Sequence, residues 1–355
     1  MTTTVLHVTE CYAGGIPVAI EAYVRNSPPD VEHHLLVELP DEMTVDDDVF
    51  RPFRSVTPMR SGPARVVSEI RRTRRRIGAD IIHAHSSFAG AYARLALRSS
   101  SRTRIVYTPH CYAFERTDIS SLGRGVYRAV EWMLSFNVEA IAACSEGEAA
   151  ASARRGPRRP RVVHVPNVLE RTANDARRES PTGRGPLRIA SLGRLAPQKD
   201  PARFASAAAS IRARGLDIAP VWMGDGRSED VALLEGQGVH VTGWIPHPEV
   251  SERLADSDVY LHTAAWEGFP LAVLEAVQAG VPTLVRRIDA FGELSDALTI
   301  EGGLEAMIFS RHAGPDVFAA WATTNAELWA ERLRAHTPEE QTRALAEAYQ
   351  VAAVA

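Results

Sequence analysis

The stretch LRIASLGRLAPQKDPARFASAAASIRARG, residues 187–215, decides how this chain is read. LRIASLG reads as a short apolar strand, the loop after it carries Arg194 and Lys199, and DPARFASAAASIRARG has the pattern of a helix. The same unit recurs on both sides. Before it, TVLHVT (4–9), HHLLVEL, DIIHAH and RIVYTPH read as strands, with helices at GGIPVAIEAYVRN, PARVVSEIRRTRRRIG, SFAGAYARLALRS and about 123–136; AIAAC and RVVHVPN follow as strands. After it come the strands IAPVWMGDG, VHVTGWI, VYLHTA and PTLVRR and the helices HPEVSERLADS and PLAVLEAVQAG. Strands alternating with helices imply right-handed crossovers and parallel sheets covered on both faces.

The pattern lapses only at LERTANDARRESPTGRGP, which is polar and rich in Pro and Gly towards its end. The expected class is therefore α/β, with two doubly wound, Rossmann-like domains facing across a cleft. Their expected limits are residues 1–170 and 187–337, with a linker over 171–186. A terminal helix, 338–355, starts at Pro338 and is expected to cross back to the first domain. A length of 355 residues exceeds what one core supports. Ligands of such sheets bind beyond the carboxyl ends of the strands, so the cleft is the expected site.

A net charge of −4 gives no general attraction to nucleic acid. Cys11, Cys111 and Cys144 are too scattered for a disulfide framework or a zinc site. The start MTTTVLHVTE has no basic or apolar leader, and no run approaches the roughly 18 apolar residues of a membrane span. The expectation is a cytoplasmic protein, at most peripheral at the inner face of a membrane.

Lys199 is the only lysine among 40 lysines and arginines. Lysine is a compact ammonium on a flexible stem and arginine a planar fork, so a site shaped for a point charge will not take the fork. Directly after a strand, Arg194 and Lys199 project from the carboxyl edge of the sheet, where two cations suit a diphosphate; a pair of solvated loop charges is the alternative. The second motif is WEGFPLAVLEAVQAGVP, residues 266–282. Pro270 fits the first turn of a helix whose N-terminus offers free N–H groups and a positive dipole end to an anion. Glu267 lies in the loop. Glu275 lies in the helix, with Leu271, Ala272, Gln278 and Ala279 as neighbours rather than cations. Carboxylates so placed need partners, which the hydroxyl groups of a sugar or ribose would supply.

A Gly-Arg-Leu followed by a lysine, and then EGFPLAVLE with seven residues between its glutamates, resembles the retaining, GT-B-fold glycosyltransferases that use nucleotide-sugar donors. GG at 14–15, HAHSS at 83–87, TPH at 108–110, CSEGEA at 144–149, VPN at 165–167, GDG at 224–226 and VTGWIP at 241–246 fall in that family's order. The resemblance implies that Arg194 and Lys199 hold the donor diphosphate, with backbone N–H groups near Phe269, Pro270, Leu271 and Ala272. It implies that Glu275 binds the ribose, Glu267 the transferred sugar, and that His110 reaches that sugar from the other domain. Gly14, Gly15 and Gly224 would allow close backbone approach, and Trp244 and Ile245 would border the base. It further implies transfer of a hexose-type sugar, UDP-sugar favoured, with retention and without a metal or other cofactor, to a sugar, lipid-linked or small-molecule acceptor. An epimerase of the same fold and a non-catalytic nucleotide-sugar-binding subunit stay open as alternatives. After VPTLV the family's DG-x-x-G segment is missing, although Glu293 is kept.

His110 ends a strand at a carboxyl edge, which favours a functional role over a merely hydrogen-bonded one. His83 and His85, two apart on a strand, share a face and would permit joint metal ligation, but their sequence neighbourhood offers no third ligand. The arginine clusters RRTRRR (71–76) and RRGPRRPR (154–161) read as solvated faces, or as a surface for anionic lipid.

Overall fold

The computed structural model describes residues 2–40, 43–45, 47–60, 62–153, 160–169 and 185–351. The chain divides into two compact units, Met1–Val168 with Ala335–Ala355, and Leu169–Arg334. Of the linker expected over 171–186, residues 171–184 lie outside the described residues, as do 154–159 of the second arginine cluster.

In the first unit β1 (Thr3–Thr9), β2 (Val31–Val37), β3 (Ser55–Pro58), β4 (Ile81–His85), β5 (Arg104–Thr108), β6 (Ala140–Ala143) and β7 (Arg161–His164) form one parallel sheet in the order β3-β2-β1-β4-β5-β6-β7. The helices are α1 (Gly15–Arg25), α2 (Pro63–Ile77), α3 (Ser87–Ala96), α4 (Ser121–Leu134) and α5 (Glu146–Ala153). All of IIHAH in β4 is buried, as a parallel strand covered on both faces requires. The register pairs His7 with His83 and His85 with Thr108, so histidines of adjacent strands line one face. Nothing in the sequence pattern marks β3, an edge strand ending on Pro58, where no ladder N–H is missed.

The second unit carries β8 (Leu187–Leu192), β9 (Ile218–Met223), β10 (His240–Val241), β11 (Val259–His262) and β12 (Thr283–Val285) in the order β10-β9-β8-β11-β12, again all parallel. Its helices are α6 (Pro201–Ala213), α7 (Ser228–Gly236), α8 (His247–Ala255), α9 (Leu271–Gln278), α10 (Ile300–Ala313) and α11 (Pro315–Arg332). The strand expected over VHVTGWI is shorter. Only His240 and Val241 pair with β9, because Gly243 (φ 68°) turns the chain and Trp244 is left 79% exposed. The sequence pattern marks neither α10 nor α11. The first turn of α10 contains Gly302 and Gly303, which serve close packing: a Cβ on Gly303 would lie 2.3 Å from the Ala297 carbonyl oxygen.

The last helix, α12 (Pro338–Tyr349), belongs to the first unit. Ala344, Leu345 and Tyr349 are buried with Val5, Tyr23, Ile81 and Val106. Gln341 Nε2 donates to the Pro166 carbonyl at 2.7 Å, which fixes the helix against the end of the unit. Among the described residues no helix is long and apolar enough to cross a membrane.

Candidate functional site

At the carboxyl edge of the second sheet the loops after β8 and β11 are strapped together. Ala265 N–H donates to the Gln198 carbonyl at 2.8 Å, Thr263 Oγ1 to the Lys199 carbonyl at 2.9 Å, and Gln198 Nε2 to the Trp266 carbonyl at 3.2 Å. These bonds bring Lys199 to Glu267, and Nζ donates to Oε1 in an ion pair that is mostly buried. Sequence reasoning expects the ammonium to be open to phosphate and the carboxylate to sugar hydroxyls. In the structure each meets the other first, because a carboxylate this buried needs a counter-charge. Burial pushes the Glu267 carboxyl up, but the Lys199 charge, aided by His262, overcomes it and holds the group at about 2. His262 Nε2 stands 3.6 Å from the same oxygen, too far for a hydrogen bond and close enough for attraction.

The lysine stem lies over Gly193, where a Cβ would sit 2.9 Å from Lys199 Cε. Gly193 is pressed in turn by Gly224, whose Cβ would lie 2.2 Å from the Gly193 carbonyl oxygen; Trp222 Nε1 donates to that oxygen at 2.8 Å. Gly224 therefore has a packing reason of its own. Arg194 is exposed at the start of this loop.

Phe269 and Pro270 are buried, Leu271 and Ala272 half-buried, and no side chain caps α9 at Pro270. The N–H groups of its first turn face the loop with the positive end of the helix dipole. Glu275, whose helix neighbours offer no cation, meets an imidazole from another element: His247 Nε2, at the start of α8, lies 3.4 Å from Oε1, and this carboxylate pushes the imidazole up. Trp244 and Ile245 lie on the loop that leads into α8, so the same segment supplies an exposed aromatic and the partner of Glu275. After burial, the two carboxylates Glu275 and Glu267 together push the Tyr260 phenol up.

Gly14, Gly15 and His110 belong to the first unit. Gly14 (φ 65°) opens α1 beyond β1, and His110 lies two residues past β5. His110 ends a head-to-tail row of imidazoles across the sheet. His33 Nδ1 meets His7 Nε2 at 2.8 Å, His7 Nδ1 meets His85 Nε2 at 2.9 Å, and His85 Nδ1 meets His110 Nε2 at 3.1 Å. His83 lies beside the row, bonded to Tyr349 Oη and to Thr108 Oγ1, both at 2.8 Å. Burial pushes all of them down, His33 and His110 to about 4, so the row is neutral at pH 7.

The fold supplies the third histidine that the local sequence lacks: ligand atoms of His7, His83 and His85 lie within 4.8 Å of one another. Two nitrogens on one tetrahedral zinc, each about 2.0–2.1 Å from it, stand about 3.3 Å apart. The 2.9 Å between His7 and His85 is instead a hydrogen-bond length, and both nitrogens of His83 are engaged. The donor set forms a hydrogen-bonded net and does not fit an ion shell.

The chain at His110 and Cys111 is left-handed (φ 51° and 93°), and Glu148 holds it there. Glu148 accepts from Cys111 N–H and Cys144 N–H, both at 2.8 Å, and its burial pushes it up to about 7. Sequence reasoning missed Glu148, His262, Gln198, His247, His7 and His33. His262 is the last residue of β11 but stands fourth in the expected strand VYLHTA, so the rule that singles out His110 reaches it only once the true strand end is known; the others come together only through strand pairing and loop contacts.

Residues 2–168 match the glycosyl transferase 4-like domain family and residues 186–320 the glycosyl transferases group 1 family. An uncharacterized 41.2 kDa protein in the cps region of Klebsiella pneumoniae is 24% identical over 312 residues, 83% of this chain and 84% of that one. The UDP-Gal:alpha-D-GlcNAc-diphosphoundecaprenol alpha-1,3-galactosyltransferase of Escherichia coli is 30% identical over 230 residues, 59% of this chain and 58% of that one. The crystal structure of Anabaena HepE in complex with UDP and glucose superposes with a TM-score of 0.72 at 14% identity, covering 98% of this chain and 99% of that one. With two parallel Rossmann-like sheets and these matches along nearly its whole length, the chain belongs to the nucleotide-sugar-dependent group 1 glycosyltransferases of GT-B fold.

Proposed function

We propose that the protein is a retaining, metal-independent glycosyltransferase that moves a hexose-type sugar from a UDP-sugar to an acceptor hydroxyl during polysaccharide or glycolipid synthesis. The observation that carries this reading is the Lys199–Glu267 pair, with Arg194 exposed on the same loop and the uncapped start of α9 beside it. As the bond from the anomeric carbon to the β-phosphate oxygen breaks, its electrons stay on the phosphate. Arg194, Lys199 and the α9 N–H groups stabilise that charge in place, a preorganised electrostatic effect. Glu267 is ionised throughout and committed to Lys199, which argues against its acting as a proton donor or covalent nucleophile. The departing phosphate oxygen takes the acceptor proton, and the acceptor oxygen bonds the anomeric carbon on the face the diphosphate leaves. Glu275 binds the ribose, displacing His247, and Trp244 and Ile245 border the base. His110, neutral, contacts the donor sugar.

The UDP preference and the lipid-linked acceptor rest on the relatives: the E. coli enzyme is named for UDP-Gal and a diphosphoundecaprenol acceptor, and the Anabaena structure holds UDP and glucose. The test is turnover of a panel of UDP-, GDP- and ADP-sugars with and without a chelator, with the product anomer and any free sugar read by NMR. One UDP-sugar is expected to turn over, unaffected by the chelator. Inverted product, inhibition by the chelator, or an epimerised nucleotide sugar in place of a transferred one each overturns part of the reading.

A further inference from the structure

Helix α4 is built inside out. Leu122, Val126, Ala129 and Met133 of the helix, and Phe136 in the turn just past its end, recur at i, i+4, i+7, i+11 and i+14, the spacing of one helix face. A helix with such a stripe ordinarily turns it to the core. Here Leu122 is 78% exposed, Val126 56%, Met133 55% and Phe136 49%, and the only buried residue of the helix is a charged one, Glu131. Glu131 is what fixes the orientation. It accepts from Arg94 Nη1 at 2.9 Å and from Tyr107 Oη at 3.0 Å beneath α3, and Arg94 lies over the Tyr107 ring at 4.4 Å. This buried net holds the polar side of α4 against the fold and leaves the apolar stripe outward.

Apolar exposure extends to the neighbouring helix. Phe88 and Leu95 of α3 are exposed next to it, with the Phe88 ring edge-on to Tyr127 of α4. Arg71 of α2 donates from Nε to the Ala96 carbonyl at 2.6 Å and from a terminal nitrogen to the Leu95 carbonyl at 3.3 Å, which seats the arginine-rich helix against the apolar patch. Arg75 and Arg98 are exposed beside it, while the acidic Glu69 and Asp118 are taken up by Arg72 and Arg116. The face thus offers apolar side chains framed by uncompensated cations.

We infer that the α3–α4 face, with the arginines of α2, docks on the surface of an anionic phospholipid bilayer. A stripe of this kind inserts between headgroups while flanking arginines meet lipid phosphates, and the two terms add. The inference deepens the proposed function, because an acceptor carried on lipid is met at that surface.

The test is co-sedimentation of the full chain with phosphatidylcholine vesicles and with vesicles that also contain phosphatidylglycerol. Wild type is expected to bind the anionic vesicles more tightly by roughly ten-fold or more, less so as salt is raised. Leu122→Ser with Met133→Ser is expected to weaken binding by on the order of 100-fold, and Arg75→Ala with Arg98→Ala by roughly ten-fold. Both variants should keep the far-UV circular dichroism and the UDP-sugar hydrolysis of wild type in solution. No vesicle binding by wild type, equal binding by the Ser variant, or a dimer in light scattering that the Ser variant splits overturns the inference. Vesicle binding without any nucleotide-sugar turnover leaves the docking face standing and refutes the enzymatic reading instead.

Discussion

Removing the Lys199 ammonium should destabilise the second unit by an amount that the Glu267 carboxyl itself reports. Its ordinary value is 4.5 and the fold holds it at about 2, a difference equivalent to roughly 3 kcal/mol at 1.36 kcal/mol per pH unit. Both side chains are largely shielded from solvent, at 20% and 10% exposure, so little of this is screened away. A folded-state value depressed below the unfolded one stabilises fully above pH 4.5, and this contribution is lost as pH falls towards 2. Lys199→Met leaves a buried carboxylate with only the Gln198 amide and His262 for company, and truncating one partner of such a pair costs about 3–5 kcal/mol. For a unit of this size the melting temperature should fall by roughly 6–20 °C. Glu267→Gln added to Lys199→Met removes the stranded charge and should recover about 1–2 kcal/mol. Thermal unfolding of wild type, both single variants and the double variant at neutral pH measures these terms. Repeating it at falling pH should show the gap between wild type and the double variant closing below pH 4.5. A Lys199→Met protein within about 0.5 kcal/mol of wild type would refute the pairing argument.

Other residues give equally specific expectations. Glu148 is pushed up to about 7, so the folded state binds its proton more tightly than the unfolded chain; stability should decline by about 3 kcal/mol between pH 4.5 and 7, and Glu148→Gln should flatten that slope in melts across the range. The histidine row permits two fully bonded proton arrangements, all Nδ1–H or all Nε2–H. His33 Nε2 is buried without a partner, and an orphaned lone pair is tolerated better than an orphaned N–H, so Nδ1–H should prevail throughout. Nitrogen-15 NMR should then find His110 as the Nδ1–H tautomer, and a mixture of tautomers in the His85→Phe variant; an Nε2–H ring in wild type contradicts the row. Trp244→Ala should cost under about 0.5 kcal/mol, because the ring is 79% exposed, yet raise the KM for the nucleotide sugar roughly ten-fold if the ring borders the base. An unchanged KM removes Trp244 from the site.

What the chain discloses before it folds follows from the range of the interactions involved. Period and composition mark β1, β4, β8 and β11 because each is a short run built around three or four apolar residues, as the strands of a covered parallel sheet require. Local turn chemistry is equally readable at Pro270, which opens α9. Side-chain partners are another matter. Glu275 has only apolar and amide neighbours within its own helix, and the imidazole it meets arrives from α8 through tertiary packing. His7 joins His85 because β1 pairs with β4, a contact across 78 positions that no local spacing reveals. α4 defeats pattern reading for a different reason: the periodicity of its apolar residues is clear, but the face they occupy is decided by Arg94, which takes Glu131 inward.

The lone lysine has a structural account that does not depend on any ligand. Its stem passes within contact of Gly193, which cannot move away because Gly224 presses its carbonyl from the other side. A slender alkyl chain with a point charge at its tip fits over that glycine and reaches one carboxylate oxygen of Glu267. Arginine at 199 would have to bring a longer, planar head over the same backbone, and its fork would look for both oxygens of a carboxylate whose second oxygen already accepts from Gln198 Nε2 at 3.3 Å. The geometry that pairs Lys199 with Glu267 also leaves the ammonium a short swing from any anion brought to the start of α9, because a flexible stem can exchange one partner for another where a bidentate fork holds on. A pair worth roughly 3 kcal/mol yet made by a single rotatable donor keeps Glu267 ionised in the fold, and under the function we propose the same donor would yield charge to a leaving diphosphate.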